Sequence, residues 1–252
     1  MFNHGRKIIL GNWKMNQNLE ETKEFFSKVS SFNQITQGIC PQFPYLKMAN
    51  DLKPNQSNFQ IGAQNISASK EGAFTGETSV TSISDCGATF TLIGHSERRQ
   101  LFFENPEDMI KKLNIAMEKG LGVVFCLGET LHERDSGQVT EILENQIKSV
   151  LPKVDNLKYE LLCVAYEPVW AIGTGVTATA EQAVQAHREI KKILKTTLPE
   201  VFWETPILYG GSVKPSNAKE LLENTEISGA LIGGASLKAS DFNSISEIAS
   251  KL

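Results

Sequence analysis

Leu161-Leu162-Cys163-Val164-Ala165-Tyr166-Glu167-Pro168-Val169-Trp170-Ala171-Ile172-Gly173-Thr174-Gly175 begins as an apolar run and stops at a single carboxylate. The run 161–165 is unbroken rather than alternating, the pattern of a parallel strand covered on both faces. A proline follows the acid at once, and small residues follow the proline. The stretch therefore reads as a buried strand that delivers Glu167 to its C-terminal end, beside a segment, 168–178, able to move as a lid. A fixed carboxylate from which water can be excluded is what proton abstraction requires. The plainer alternative is that Glu167 only caps the next segment.

The same pattern recurs along the chain. Apolar runs fall at 7–10, 38–40, 59–62, 90–93, 123–127, 161–165, 207–209 and 230–232. Between them lie stripes of helical spacing: Leu19, Phe25, Phe26 and Val29; Met109, Ile110, Leu113 and Met117; Val139, Ile142, Leu143, Ile147, Val150 and Leu151; and Ala183, His187, Ile190, Ile193 and Leu194. These are core contacts, and His187 reads as a packed histidine. Strand and helix alternate about eight times with no linker or composition break. That predicts an α/β fold, a single (β/α)8 barrel of eight parallel strands ringed by helices, as one domain over 1–252. An open doubly wound sheet is the competing architecture. It would carry GxGxxG after the first strand, where this chain has Gly11-Asn12-Trp13-Lys14.

Charge and composition exclude several classes. Against 25 Lys and Arg stand 29 Asp and Glu, a net charge of −4, with no basic block to meet nucleic acid. No run of apolar residues is long enough to span a membrane, and the N-terminus lacks a signal-like apolar core. Cys40, Cys86, Cys126 and Cys163 form no CxxC pair and no zinc-finger spacing with histidine. Reduced, mostly buried thiols predict a cytoplasmic protein.

In a barrel of this kind, chemistry belongs at the C-terminal ends of the strands. After the first strand come Asn12 and the cation Lys14. After the fourth come Gly94-His95-Ser96-Glu97-Arg98-Arg99, where Ser96 is a helix-capping type that puts His95 at a helix N-terminus. The positive end of that helix disfavours an imidazolium, leaving a neutral ring with one N–H to donate. After the seventh and eighth come Tyr209-Gly210-Gly211-Ser212 and Gly233-Gly234-Ala235-Ser236. Two glycine pairs there let main-chain N–H groups approach an anion, the usual phosphate position in such barrels. One base, one neutral donor, one cation and one phosphate cradle, with no metal cluster and no paired nucleophile, suit proton transfer beside the carbonyl of a small phosphorylated molecule. His95 and Lys14 would stabilise the enediolate, and Glu167 would carry the proton.

The motifs Gly11-Asn12-Trp13-Lys14-Met15-Asn16, Gly72-Ala73-Phe74-Thr75-Gly76-Glu77, Ile93-Gly94-His95-Ser96-Glu97-Arg98-Arg99, Ala165 to Gly175, Tyr209 to Val213 and Gly233 to Leu237 occur in one order across nearly the whole chain. In these residues the sequence resembles the triosephosphate isomerase family. The resemblance implies a TIM barrel that interconverts dihydroxyacetone phosphate and D-glyceraldehyde 3-phosphate, in glycolysis and gluconeogenesis, with no cofactor and no metal. It implies Glu167 as base, His95 as electrophile, and Asn12 and Lys14 as substrate contacts. Glu97 would pair with Lys14. Gly173, Ser212, Gly233 and Gly234 would bind phosphate. Cys126 would pack beside Glu167, and Tyr209 and Ser212 would latch a closed lid. It also implies a homodimer in which the loop 72–77 enters the partner and Thr75 reaches the partner's site.

Three places differ from forms frequent in the family: the hinge Val176-Thr177-Ala178, Thr78, and the run 100–105. None is Lys14, His95 or Glu167. Two other functions compete: a Schiff-base aldolase with Lys14 as nucleophile, and an inactive barrel kept for binding. The second would lack one of Lys14, His95 and Glu167, and all three are present.

Overall fold

Eight parallel strands close into a barrel in chain order, each followed by helical structure. They are β1 (Ile8–Asn12), β2 (Thr36–Cys40), β3 (Phe59–Ala63), β4 (Phe90–Ile93), β5 (Gly122–Leu127), β6 (Leu162–Tyr166), β7 (Ile207–Tyr209) and β8 (Gly229–Ile232). The computed structural model describes residues 2, 5–56, 58–172 and 178–252. The seam closes where Ile8, Ile9, Leu10 and Gly11 pair with Gly229, Ala230, Leu231 and Ile232.

The unbroken apolar runs have a simple cause. Side chains alternate across a strand, and both faces of these strands are dry. One set points into the barrel: Ile8, Leu10, Cys40, Phe90, Leu92, Val124, Cys126, Cys163, Ala165, Leu208 and Leu231 form an inner cluster. The other set, with Ile9, Ile39, Phe125, Val164, Tyr166 and Ile232, packs outward on the helices. Phe90 is the bulkiest inner side chain among the strands, and its neighbours make room for it. A Cβ at Gly62 would lie 2.3 Å from the Phe90 ring, and one at Gly38 would lie 3.0 Å away. Phe2 meets the same ring edge-on at 6.2 Å and is itself buried, filling the N-terminal end of the barrel.

Several element ends differ from the sequence reading. β1 runs to Asn12 because Gly11 and Asn12 pair with Ile39 and Cys40. β6 starts at Leu162, since Leu161 sits in a 3₁₀ turn. The third stripe breaks: the helix Val139–Lys148 ends before Val150 and Leu151, which stay buried beside a 3₁₀ turn. Pro152 disfavours helix at the residue before it. Leu19 is 46% exposed, because it opens the helix Leu19–Lys28 at its first turn. The fourth stripe is buried at every position on the helix Ala180–Thr197. His187 is packed there, edge-on to Tyr166 at 5.9 Å. Among the described residues, no helix is long and apolar enough to cross a membrane.

Candidate active site

Alternation carries the inner rows of side chains out of the barrel mouth. In β6, Cys163 and Ala165 point inward, and two residues on comes Glu167. In β1 the same step from Ile8 and Leu10 leads to Asn12, and in β8 the step from Leu231 leads to Gly233. Asn12, Lys14, His95, Glu167, Ser212, Gly233 and Gly234 all line one cavity of about 670 Å³ at that end.

Glu167 is 1% exposed, and both its carboxylate oxygens are engaged. Oε1 lies 3.1 Å from Nε2 of His95. Oε2 accepts the main-chain N–H of Ser96 at 2.9 Å. His95 is the N-cap of the helix Ser96–Leu101, one residue earlier than the capping type Ser96 suggested. Its Nδ1 accepts the main-chain N–H of Glu97 at 3.3 Å. A ring nitrogen that accepts carries no proton, so the neutral imidazole holds its single N–H on Nε2, directed into the cavity. Gly94 permits this turn: its φ is +76°, and a Cβ there would meet Arg99 and Met109 at 2.8 Å.

Lys14 adopts φ +52°, an uncommon region for a residue with a side chain. Three contacts hold it there. Its N–H donates to Asn12 Oδ1 at 3.1 Å, its carbonyl accepts from Gln64 Nε2 at 2.8 Å, and its Nζ meets Glu97 Oε1 at 2.6 Å. Its stem passes near Gly233, where a Cβ would stand 3.9 Å from Lys14 Cε. The cation thus shares the cavity with the imidazole and the glycine pairs. Glu97 serves both groups, since its carboxylate holds Lys14 and its amide sets the His95 tautomer.

Both glycine pairs, Gly210-Gly211 and Gly233-Gly234, face this cavity. The helical turn after Gly233 is a 3₁₀ turn, Gly234–Leu237, rather than the start of a regular helix, so the anion would meet free N–H groups more than a summed dipole. Ser236 is tied back to the Ile232 and Gly233 carbonyls, and its own carbonyl accepts Trp13 Nε1 at 2.9 Å. Gly173 and the hinge residues Val176 and Thr177 lie outside the described residues. Cys126 is fully buried, and burial with the adjacent Glu167 charge holds its thiol well above the usual range, so it stays unionised. The Tyr209 phenol is raised to about 12, mainly by burial, against a smaller downward pull from the Ala178 main chain. Thr75 sits on an exposed turn away from the cavity. All four cysteines are free thiols. Among the described residues, no group of His, Cys, Asp or Glu is placed to hold a metal ion.

Sequence reasoning missed several contributors. Gln64 bridges the Lys14 and Cys40 carbonyls. Arg99 spans β4 and β5 by donating to the Gly94 and Cys126 carbonyls. Buried Glu129 gathers Tyr166 Oη, Trp170 Nε1 and Arg134 on one oxygen, and its carbonyl takes the Val169 N–H, which fixes the chain just after Glu167. Lys214 and Lys238 add two further cations to the cavity wall.

The chain matches the sequence profile of triosephosphate isomerase over residues 7–249. The chain belongs to the triosephosphate isomerase family. A triosephosphate isomerase of Vesicomyosocius okutanii is 45% identical over 238 residues, covering 93% of this chain and 96% of that protein. One from Hahella chejuensis is 41% identical, covering 97% and 98%. One from Francisella tularensis is 40% identical, covering 98% of each. Membership of the triosephosphate isomerase family and the closed eight-stranded barrel agree on one architecture, the TIM barrel.

Proposed function

We infer that this chain is an isomerase that interconverts dihydroxyacetone phosphate and D-glyceraldehyde 3-phosphate through an enediolate, with Glu167 as the base. The observation that carries the residue roles is the His95 geometry: Nδ1 is spent on the Glu97 N–H, so Nε2–H faces Glu167 across 3.1 Å in the cavity that Lys14 also enters. A bound triose would place its carbonyl oxygen on Nε2–H and on the Lys14 ammonium. Glu167 would leave its bonds to His95 and Ser96 and take a proton from the carbon beside that carbonyl. The negative charge then forms on oxygens already faced by a fixed N–H and a fixed cation, which needs little reorganisation. Transfer of the hydroxyl proton from the first carbon's oxygen to the second's, with return of the abstracted proton to the neighbouring carbon, completes the isomerisation. Asn12 and Lys14 bind substrate, and the N–H groups of Ser212, Gly233 and Gly234 receive the phosphate.

Incubating dihydroxyacetone phosphate with the enzyme in D2O, followed by NMR, tests this. Glyceraldehyde 3-phosphate carrying deuterium at C2 is expected. Product without deuterium and without exchange in the recovered substrate would argue for hydride transfer instead. Borohydride treatment with substrate should trap no adduct on Lys14.

The whole chain forms one catalytic domain, works in the cytoplasm in glycolysis and gluconeogenesis, and acts as a homodimer, with the exposed loop around Thr75 entering the partner. Support for the dimer comes from that loop: Phe74 is 51% exposed, beside a turn kept in shape by Gly72 and Gly76.

A further inference from the structure

We propose that Gln146 is a positioning residue for the Glu167 carboxylate, acting through Gly128. It lies on the outer helix Val139–Lys148 and does not line the catalytic cavity. The proposal rests on Glu167 as the base and adds a residue whose part is to hold that base in place.

The β5–β6 ladder ends with Leu127 opposite Tyr166, and the Glu167 N–H then donates to the Leu127 carbonyl at 2.7 Å. Gly128 is the first residue beyond the strand, so its N–H and carbonyl need partners from elsewhere. Gln146 supplies both: Oε1 accepts the Gly128 N–H at 3.0 Å, and Nε2 donates to the Gly128 carbonyl at 2.9 Å. A primary amide carries the same donor and acceptor as a peptide. The side chain therefore behaves as one residue of an added strand and extends the ladder by a step.

That step lies directly under the base. A Cβ on Gly128 would fall 1.7 Å from the Glu167 carbonyl oxygen, 2.6 Å from its carbonyl carbon and 3.2 Å from its Cα. The two main chains are in contact over the whole Glu167 peptide unit. On the next residue, the Glu129 carbonyl holds the Val169 N–H at 3.0 Å. Leu127, Gly128 and Glu129 thus brace 167–169, and the middle brace is fixed from outside by Gln146 alone among the described side chains. Behind Glu167 lies a small separate cavity of about 140 Å³, lined by Gln146, Gly128, Arg99 and Thr130. The region is not packed solid, so Gly128 has space to relax if the amide is removed.

Gln146→Ala should lower kcat about tenfold, since a fraction of the roughly 1 Å displacement that costs about a hundredfold is enough. KM should stay within about twofold, because Gln146 meets no substrate. The deciding measurement is the double-mutant cycle with Glu167→Asp. With the carboxylate already withdrawn, adding Gln146→Ala should change kcat by less than about twofold. Should Gln146→Ala not fold, Gln146→Met keeps the length without the amide and serves the same cycle. Unchanged kcat in the folded single variant, or equal losses with and without Glu167→Asp, would overturn the proposal. Full activity in Glu167→Asp alone would instead remove Glu167 as the base and leave Gln146 with nothing to position.

Discussion

Glu97 is where single side chains do most to assemble the site. Its amide fixes which nitrogen of His95 carries the proton, and its carboxylate holds Lys14 at 2.6 Å. Glu97→Gln separates the two, because the amide stays and the charge goes. Its kcat should fall about tenfold or more as the Lys14 cation loses its aim. The melting temperature should barely move, because the side chains are 26% and 42% exposed and such pairs contribute little to stability. Steady-state rates and a thermal melt check both halves. Glu167→Asp withdraws the carboxylate by one methylene and should cost about a hundredfold in kcat. Lys14→Met should cost about 3 kcal/mol of transition-state stabilisation, read from kcat/KM. The principal candidate residues were legible because each follows an apolar run at the strand end: Glu167, Asn12 and Gly233 continue inner rows and line one cavity. Gln64, Glu129 and Gln146 were not, since each acts on another residue's main chain, and no spacing rule marks a polar side chain that reaches across the fold.

Within the strands, glycine and Phe90 are matched in size. Gly62→Ala puts a methyl group 2.3 Å from a buried ring. It should destabilise the protein by about 1–3 kcal/mol or more in urea unfolding. Phe90→Leu in the same chain should recover much of that loss, and additive effects would show that the two do not touch. The helix Ala180–Thr197 carries a pH dependence. Burial pulls His187 from 6.5 down to about 3, with the Glu226 carbonyl acting the other way, Lys191 and Lys7 adding to the lowering and the Glu226 charge opposing it. The unfolded chain takes up a proton near 6.5 that the folded chain refuses. Stability held above about pH 6.5 is therefore lost as the pH falls toward 3, by up to about 1.4 kcal/mol per unit. His187→Gln should flatten the fall in urea midpoint between pH 6.5 and 4.5 relative to the parent protein. Helix faces were legible from spacing, and every position of the Ala183 to Leu194 stripe is buried. Helix ends were not, because Pro152 stopped the helix before Val150 and Leu151, the last apolar residues of its stripe.

At the scale of the molecule, eight apolar runs with amphipathic segments between them sufficed to infer closure, which rests on the Ile8–Gly229 seam. Gly229 has φ +158°, and a Cβ there would lie 1.9 Å from the Ile8 carbonyl oxygen. Nothing in a single sequence marks that glycine as the place where first and last strands meet. The proposed dimer is tested at the same scale. Sedimentation should give twice the chain mass, and Thr75→Arg should shift the protein toward monomer with a parallel loss of activity. Activity that survives as monomer would separate assembly from chemistry. The division of each strand into an inward row and an outward row has a practical meaning for protein engineers. The outward row and the ladder hold the cylinder together, whereas the letters at and just past the strand ends, among them Asn12, Lys14, His95 and Glu167, line the cavity. New chemistries can be written into those terminal letters while the architecture beneath stays as it is.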